Sequence, residues 1–348
     1  MMRAPDFRYY AARSVRDAAA ALEDGGNAAM LLAGGTDLVP NMKRRTQTPA
    51  LVIGLRGIGE LRGVRAGGGG GGGRAGGLTL GACTTLAEVA AAPAVGRRYR
   101  ALALAAGQVA TPQLRNMGTL GGNLCLDTRC TYYDQSEEWR RAINWCMKAP
   151  GSNGGHACGT PDGASLCWVA TSSPRCWAVS STDSAPALIA LGATVTLARV
   201  AGRRRLPLEK LYRDDGMAYL TREPGEILTA VHLPAAAGWR STYWKLRRRG
   251  SFDFPVLGVA AAVRFATGDA VADARVVLGA VASRPLVVPE AATLAGSRLT
   301  DEAIEPVAEA AAALATPLDN TDFALAWRKK MVRHYVAGAL RELRDTPS

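Results

Sequence analysis

The sequence predicts an α+β protein built from two domains. A chain of 348 residues has room for two or three domains of ordinary size. In its first part, short apolar strands alternate with helical segments. In its last part, alternating apolar segments precede two helical segments, which is typical of an antiparallel sheet with segregated helices. The segment 201–227 between them is charged and loop-rich, so we expect one domain over residues 1–217 and a second, α+β domain over residues 218–348.

The first elements follow from local patterns. Residues 14–24 predict a short amphipathic helix with Ser14 as its N-cap. The apolar segments 28–35 and 49–55 predict buried strands, the first of which runs into a glycine turn. A further helix is expected to start near Thr85. This order of strands and helices fits an α/β unit.

The later elements are predicted in the same way. The low-complexity run 66–77 is mostly glycine and is expected to be a flexible turn between strands. Residues 187–200 predict the end of a helix followed by a strand. Residues 301–315, with Thr300 as N-cap, and residues 320–343 predict the two helices of the second domain.

Composition and charge indicate where the protein is located and which partners it lacks. The N-terminus lacks the apolar core of a secretion signal, and no uncharged apolar run approaches the length of a membrane span. We therefore expect a cytoplasmic protein that does not insert into a membrane, in a compartment where thiols stay reduced. The net charge of +12 is scattered and accompanies no groove-reading motif, so we expect no nucleic-acid partner.

Two glycine turns are the first candidates for a binding site. They are "LLAGGTDLVPNMK", residues 31–43, and "MGTLGGNLC", residues 117–125. Glycines let backbone N–H groups approach a bound anion, and such amides can form a nest for phosphate. Neither segment is a dinucleotide fingerprint or a Walker A loop, and each taken alone is also typical of an ordinary turn.

Five segments together are more specific. In order, "AGGTDLVPNMK", "LTLGACTTLAEV", "TLGGNL", "SSTDSAPALIALGA" and "YWKLRRRGSFDFPVLGVAAAV" resemble the FAD-binding subunit of the molybdenum hydroxylase family. That family includes the flavin parts of xanthine dehydrogenase and carbon monoxide dehydrogenase. The resemblance implies an oxidoreductase subunit with a two-part, PCMH-like FAD-binding domain over residues 1–217. It also implies two partners, a molybdopterin-binding large subunit and a 2Fe–2S small subunit.

The resemblance also implies which residues hold FAD. Two turns would bind the pyrophosphate, Asp183 would lie at the ribityl chain, and Lys245 would lie near the flavin ring. The residues of the turns are Ala33, Gly34, Gly35, Thr36, Asp37 and Leu38 in the first, and Thr119, Gly121, Gly122 and Asn123 in the second. No catalytic acid or base is expected in this chain, because the molybdenum site belongs to a partner.

A cysteine-rich segment interrupts this pattern. Asn123 and Asp183 are separated by 59 residues, where ordinary members of the family need only a few. The extra segment, about residues 124–178 and here called the cysteine loop, holds six of the seven cysteines. In a reducing compartment such a cluster favours a metal over disulfides. The spacing does not suggest the paired knuckles of a zinc site, although it does not exclude zinc, and iron–sulfur clusters tolerate varied spacing.

The cysteine loop has a resemblance of its own. "CLDTRCTYYDQSEEWRRAINWC" and "LCWVATSSPRC" resemble the β subunit of 4-hydroxybenzoyl-CoA reductase. This implies a 4Fe–4S cluster bound by Cys130, Cys146, Cys167 and Cys176. Cys125 is expected to pack beside the second glycine turn. Cys158 lies in a glycine-rich extension and is a poor candidate ligand.

The resemblances together predict a function. Electrons would pass from ferredoxin to the 4Fe–4S cluster and FAD, and then to the 2Fe–2S and molybdenum subunits, to remove the ring hydroxyl of 4-hydroxybenzoyl-CoA. The alternative is the flavin subunit of an oxidative molybdenum hydroxylase, similar to xanthine or carbon monoxide dehydrogenase, that acts on another substrate.

Overall fold

The computed structural model describes residues 3–66, 76–149, 166–266 and 269–346. These residues form three β-sheets with helices packed around them. None of the helices described is long and apolar enough to cross a membrane. The glycine run is described only at its ends, where it separates two paired strands, and Cys158 lies outside the described residues.

The chain begins with a small parallel sheet of three strands in the order β1-β3-β2. Its strands are β1 Arg8–Ala11, β2 Ala29–Leu32 and β3 Leu51–Gly54, and its helices are α1 Val15–Gly25 and α2 Leu38–Lys43. Ser14 caps α1 as predicted, and its hydroxyl accepts a hydrogen bond from the Asp17 N–H at 3.1 Å. The two predicted strands are β2 and β3. The turn after β2 is the first predicted glycine turn.

A five-stranded antiparallel sheet follows, in the order β4-β5-β8-β6-β7. Its strands are β4 Val64–Ala66, β5 Leu78–Gly81, β6 Thr194–Arg199, β7 Gly202–Pro207 and β8 Ile227–Leu233. The helices between β5 and β6 are α3 Leu86–Ala91, α4 Pro93–Arg98, α5 Arg100–Gly107, α6 Pro112–Arg115, α7 Leu120–Leu124, α8 Glu137–Ala142 and α9 Ser184–Ala190. Because β8 pairs with both β5 and β6, this sheet extends past the expected boundary at residue 217.

The last part is a four-stranded antiparallel sheet in the order β12-β11-β10-β9. Its elements are β9 Trp239–Leu246, β10 Leu257–Phe265, β11 Val271–Gly279, β12 Leu286–Val288, α10 Asp301–Leu314 and α11 Leu325–Asp345. Short 3-10 turns lie at Gly26–Ala28, Gly59–Leu61, Leu208–Leu211 and Pro289–Leu294. Both helices bury apolar side chains in a common core with the sheet. Thr300 caps α10, and the predicted α+β class is confirmed.

The cysteine loop contains little regular structure where it is described. Helix α8 is six residues long, and the stems of the loop meet where Arg129 and Val179 exchange backbone hydrogen bonds of 2.8 and 2.7 Å. The loop also contacts the last domain, since Asn320 Nδ2 donates to the Trp177 carbonyl at 2.7 Å. Its buried residues form a separate small core of Cys130, Tyr133, Cys146, Met147, Ala149, Cys167, Cys176 and Ala178.

Candidate functional site

The two predicted glycine turns lie against each other. A side chain at Gly34 would place its Cβ only 2.0 Å from the Met117 carbonyl oxygen, so only glycine allows this approach. Gly35 has φ +73°, a left-handed conformation that other residues adopt at a cost. Although more than 80 residues separate them in the chain, the two turns therefore form a single surface.

Hydrogen bonds fix the second turn. Thr119 caps α7, and its hydroxyl accepts from the Gly122 N–H at 3.1 Å. The Gly121 N–H donates to the Ala82 carbonyl at 2.7 Å, which ties the turn to the end of β5. The amide oxygen of Asn123 accepts from the Thr182 hydroxyl at 2.8 Å, which brings the far stem of the cysteine loop to the same place.

The turns line a cavity of about 1080 Å³, here called the large cavity. Its walls include every predicted turn residue and Asp183, namely Ala33, Gly34, Gly35, Thr36, Asp37, Leu38, Thr119, Gly121, Gly122, Asn123 and Asp183. Its lining extends beyond the turns to Glu23 and Gly225 as well as to Phe254 and Thr321. This is the form of site that an elongated cofactor with a central phosphate group needs.

Lys245 does not line the large cavity, but it contacts a residue that does. Its ammonium donates to Asp183 Oδ2 at 3.0 Å and to the Gln108 carbonyl at 3.0 Å, and the side chain is fully buried. Tyr243 donates to Asp183 Oδ1 at 2.8 Å. Burial raises the pKa of Asp183, while the charge of Lys245 and the two hydrogen bonds act in the opposite direction. Lys245 therefore orients the Asp183 carboxylate from the side that faces away from the large cavity.

Two arginines of the large cavity were missed by the sequence analysis. Arg129, which is 5% exposed, forms ion pairs with Asp37 of the first turn and with Asp134, the latter at 3.2 Å. Arg44 donates to Asn41 at 2.8 Å. The Nε atoms of both arginines are buried without a partner among the described residues. The motif "DTRC" contained the signal for Arg129, since a charge beside a buried cysteine needs a partner.

The four predicted ligand cysteines converge. Cys130, Cys146, Cys167 and Cys176 are each 5–7% exposed and line one small cavity, here called the cysteine cavity. The Ala178 N–H donates to Cys176 Sγ at 3.4 Å. Burial raises the pKa of Cys130 to about 12 and that of Cys176 to about 11. Without a metal these groups are thiols, and a bound metal would have to displace their protons.

The other described cysteines lie elsewhere. Cys83 and Cys125 border the large cavity, and Cys125 follows the second turn directly, as predicted. Cys158 cannot be compared because it lies outside the described residues. Within the described ranges, no group of three or more His, Cys, Asp or Glu side chains could hold a single metal ion.

The two cavities share a wall. Cys130 lines both of them, and its neighbour Arg129 lines the large cavity and contacts the first glycine turn. The loop therefore does not project away from the glycine turns. Of its four buried cysteines, Cys130 lies at the border between the two cavities.

Comparison with known proteins defines the class to which this arrangement belongs. The family model described as "FAD binding domain in molybdopterin dehydrogenase" matches residues 5–236. The model described as "CO dehydrogenase flavoprotein C-terminal domain" matches residues 241–343. The chain belongs to the FAD-binding subunits of the molybdopterin dehydrogenases, and it is the oxidoreductase FAD subunit that the resemblance of its five segments implied.

Particular relatives extend this result. The chain is 30% identical to the carbon monoxide dehydrogenase medium chain of Hydrogenophaga pseudoflava, covering 96% of this chain and 97% of the relative. It is 32% identical to the aldehyde oxidoreductase FAD-binding subunit PaoB of Escherichia coli, covering 74% and 76%. A solved structure of carbon monoxide dehydrogenase from Hydrogenophaga pseudoflava superimposes with a TM-score of 0.76 at 28% identity, covering 98% of each chain.

These relatives support the predicted family, cofactor and fold more than the predicted reaction. The molybdenum hydroxylase family, the FAD cofactor and the α+β fold are confirmed. The relatives from Hydrogenophaga pseudoflava and Escherichia coli are carbon monoxide dehydrogenase and aldehyde oxidoreductase subunits, and neither is a 4-hydroxybenzoyl-CoA reductase. They therefore favour the alternative function, a flavin subunit like that of carbon monoxide dehydrogenase, over the reductive one.

Proposed function

We propose that this chain is the electron-transferring flavin subunit of a molybdenum enzyme complex, and that FAD occupies the large cavity. The observation that carries the proposal is the meeting of the two glycine turns. Glycine lets the backbone of these turns approach a pyrophosphate closely, and Arg44 and Arg129 line the same cavity and place positive charge near it. Asp183, held by Lys245 and Tyr243, would accept hydrogen bonds from the hydroxyls of the ribityl chain.

The cysteine cavity is proposed to hold a 4Fe–4S cluster. Cys130, Cys146, Cys167 and Cys176 supply four thiolates, the number that such a cluster requires. The buried sulfur environment and the backbone N–H directed at Cys176 are features that tune the potential of such clusters. When bound, the cluster supplies one-electron chemistry. The protein residues hold it, exclude water from it and keep it beside the large cavity.

The first candidate function is oxidative. In it, the chain assembles with a molybdopterin-binding large subunit and a 2Fe–2S small subunit, and the flavin passes electrons outward. The similarity to carbon monoxide dehydrogenase and aldehyde oxidoreductase subunits over most of the chain supports this candidate. In this case the cysteine loop is a second exit for electrons.

A second candidate is reductive, and the cysteine cavity is the observation that favours it. A one-electron centre behind the flavin gives a one-electron donor such as ferredoxin an entry site, and the substrate would be an aromatic thioester such as 4-hydroxybenzoyl-CoA. The net charge of +12 would favour the docking of an acidic donor, with an association rate that falls as salt rises.

The experiment is anaerobic purification of the chain with whatever subunits accompany it, followed by flavin, iron and molybdenum analysis. One FAD and four iron atoms per chain, in addition to the iron of a 2Fe–2S subunit, are the expected contents. A preparation with flavin and stoichiometric zinc but no iron beyond that of the 2Fe–2S subunit would refute the cluster. Assays of the complex with carbon monoxide, aldehydes and xanthine, and with 4-hydroxybenzoyl-CoA plus reduced ferredoxin, then decide between the two candidates.

A further inference from the structure

Lys148 is a buried cation at the junction of the two cavities. Its side chain is 6% exposed and lines the cysteine cavity. The ammonium donates to Asp127 Oδ1 at 2.7 Å, to the Gly216 carbonyl at 2.9 Å and to the Thr128 carbonyl at 3.2 Å. These acceptors lie on different parts of the chain, so the position of the charge is fixed.

Both carboxylate oxygens of its partner Asp127 also accept hydrogen bonds from other residues. Asp127 Oδ1 accepts from the Thr128 N–H at 2.9 Å in addition to Lys148. Oδ2 accepts from the Tyr133 hydroxyl at 2.8 Å and from Gln47 Nε2 at 3.1 Å. Asp127 lines the large cavity and Lys148 lines the cysteine cavity. The ion pair is therefore a dipole with its positive end at the cysteine cavity and its negative end at the large cavity.

Aromatic rings complete the surroundings of the ammonium. Its nitrogen lies 4.6 Å from the centre of the Tyr133 ring and 5.5 Å from that of the Tyr219 ring. Both contacts are favourable to a cation, and the rings keep water away. In such surroundings a charge acts on its neighbours more strongly than at a surface.

Stability alone is a weak reason for such a pair. Burying two charges costs several kcal/mol per ion, and well-packed apolar residues often replace a buried ion pair without loss of stability. The cysteine cavity gives a better reason. Four thiolates bring negative charge into the same space, and Lys148 is the cation among the residues that line it.

We propose that Lys148 is the countercharge of the cysteine cavity and that it raises the reduction potential of the cluster bound there, with Asp127 fixing its position. This inference rests on the proposed 4Fe–4S cluster. Reduction adds one electron to the iron from an external donor, while no bond in the protein forms or breaks. A fixed positive charge next to the sulfur atoms favours that added negative charge, and cluster potentials follow local charge and hydrogen bonding.

The test is an anaerobic redox titration with dithionite, followed by electron paramagnetic resonance of the reduced cluster. Lys148→Met should shift the equilibrium toward the oxidised cluster by about tenfold, which is about 59 mV lower for a one-electron couple. Lys148→Arg keeps the charge and should stay near wild type. Lys329→Met removes the same charge from the exposed face of α11 and should change nothing.

A second variant covers the case in which Lys148→Met fails to assemble a cluster. Asp127→Asn removes the opposing carboxylate and keeps the cation, so it should shift the potential upward. A potential that is unchanged or lower in Asp127→Asn, or unchanged in a loaded Lys148→Met protein, overturns the inference. An absent iron–sulfur signal in the wild-type protein instead overturns the proposed cluster, so the two failures are distinguishable.

Discussion

The large cavity and the cysteine cavity share Cys130 but are built in different ways. The large cavity is built around two glycine turns, of which the first follows β2 and the second begins α7. The cysteine cavity is made of side chains, from a loop whose described residues contain one six-residue helix. The large cavity therefore depends on strands and helices for its shape, whereas the cysteine cavity depends on the side chains that meet inside it.

This difference indicates how each site depends on its ligand. Hydrogen bonds to neighbouring strands and a helix cap hold the glycine turns. The cysteine loop has only a small core, so metal binding would contribute directly to its folding free energy. We therefore expect loss of the cluster to loosen the loop, and loss of FAD to leave the loop folded.

The largest effect is expected from Cys146→Ser. This change should abolish iron binding and increase hydrogen exchange in residues 126–149 and 166–177, because the loop loses its metal. FAD should be retained. Cys83→Ser, a buried cysteine beside the large cavity, is the control and should keep its iron. Full iron content in Cys146→Ser would show that the cysteine cavity is not the cluster site.

Gly122→Asp should have the converse effect, with loss of FAD and retention of iron. The new carboxylate would stand beside the proposed pyrophosphate, so FAD affinity should fall at least about 100-fold, or about 3 kcal/mol. Gly122→Ala adds a Cβ 3.0 Å from the Thr119 hydroxyl without charge and should cost much less. Fluorescence titration measures the FAD affinity of both variants. Their iron content, measured separately, should stay at the wild-type level.

Gly35→Asp should act in the same way on the first turn. It adds a charge at a residue with φ +73°, so part of its effect is backbone strain. Gly296→Asp is a matched control, since Gly296 has φ +85° in open space. Full flavin absorbance in both Gly35→Asp and Gly122→Asp would remove the glycine turns as the FAD site.

Arg129→Met should affect both sites, because this arginine connects them. It leaves Asp37 unpaired at the first turn, and a charge-assisted hydrogen bond contributes about 2 kcal/mol, so FAD affinity should fall roughly thirtyfold. The cysteine loop should also exchange hydrogen faster. Arg141→Met, which removes an exposed arginine of the same loop, is the control. Equal FAD affinity in the two variants would contradict the proposed connection.

The smallest effect is expected from Lys245→Met. Lys245 acts through Asp183, and one hydrogen bond contributes about 1 kcal/mol, so FAD affinity should fall about fivefold. In an Asp183→Asn background the same change should have little further effect. Additive losses in this double-mutant cycle would mean that Lys245 contacts the flavin itself.

Much of the local structure was predictable from the sequence because its causes are local. The caps at Ser14 and Thr300 and the glycine turns depend on a few adjacent residues, and all were found. Pairings across the chain were harder. Strand β8 joins the five-stranded sheet although a charged, loop-rich segment precedes it, since its partners β5 and β6 are far away in sequence.

In the candidate site, too, features with local causes were predictable and contacts between distant residues were not. The turn residues and the four cysteines that line one cavity were named from the family resemblance. The ion pair of Arg129 with Asp37 joins residues 92 apart, and no periodicity indicates it. The burial of Lys148 was equally hidden, because a lysine in a charged loop is typical of a solvated surface.

The central claim is that the two cavities are neighbouring redox sites and that electrons pass between them. The most direct test is anaerobic stopped-flow reduction of bound FAD by reduced ferredoxin, in the wild type and in a Cys146→Ser variant that retains FAD. We predict that the variant's flavin is reduced by ferredoxin at least about tenfold more slowly, because the one-electron centre beside the flavin is lost. Equal rates in the two proteins would contradict the claim.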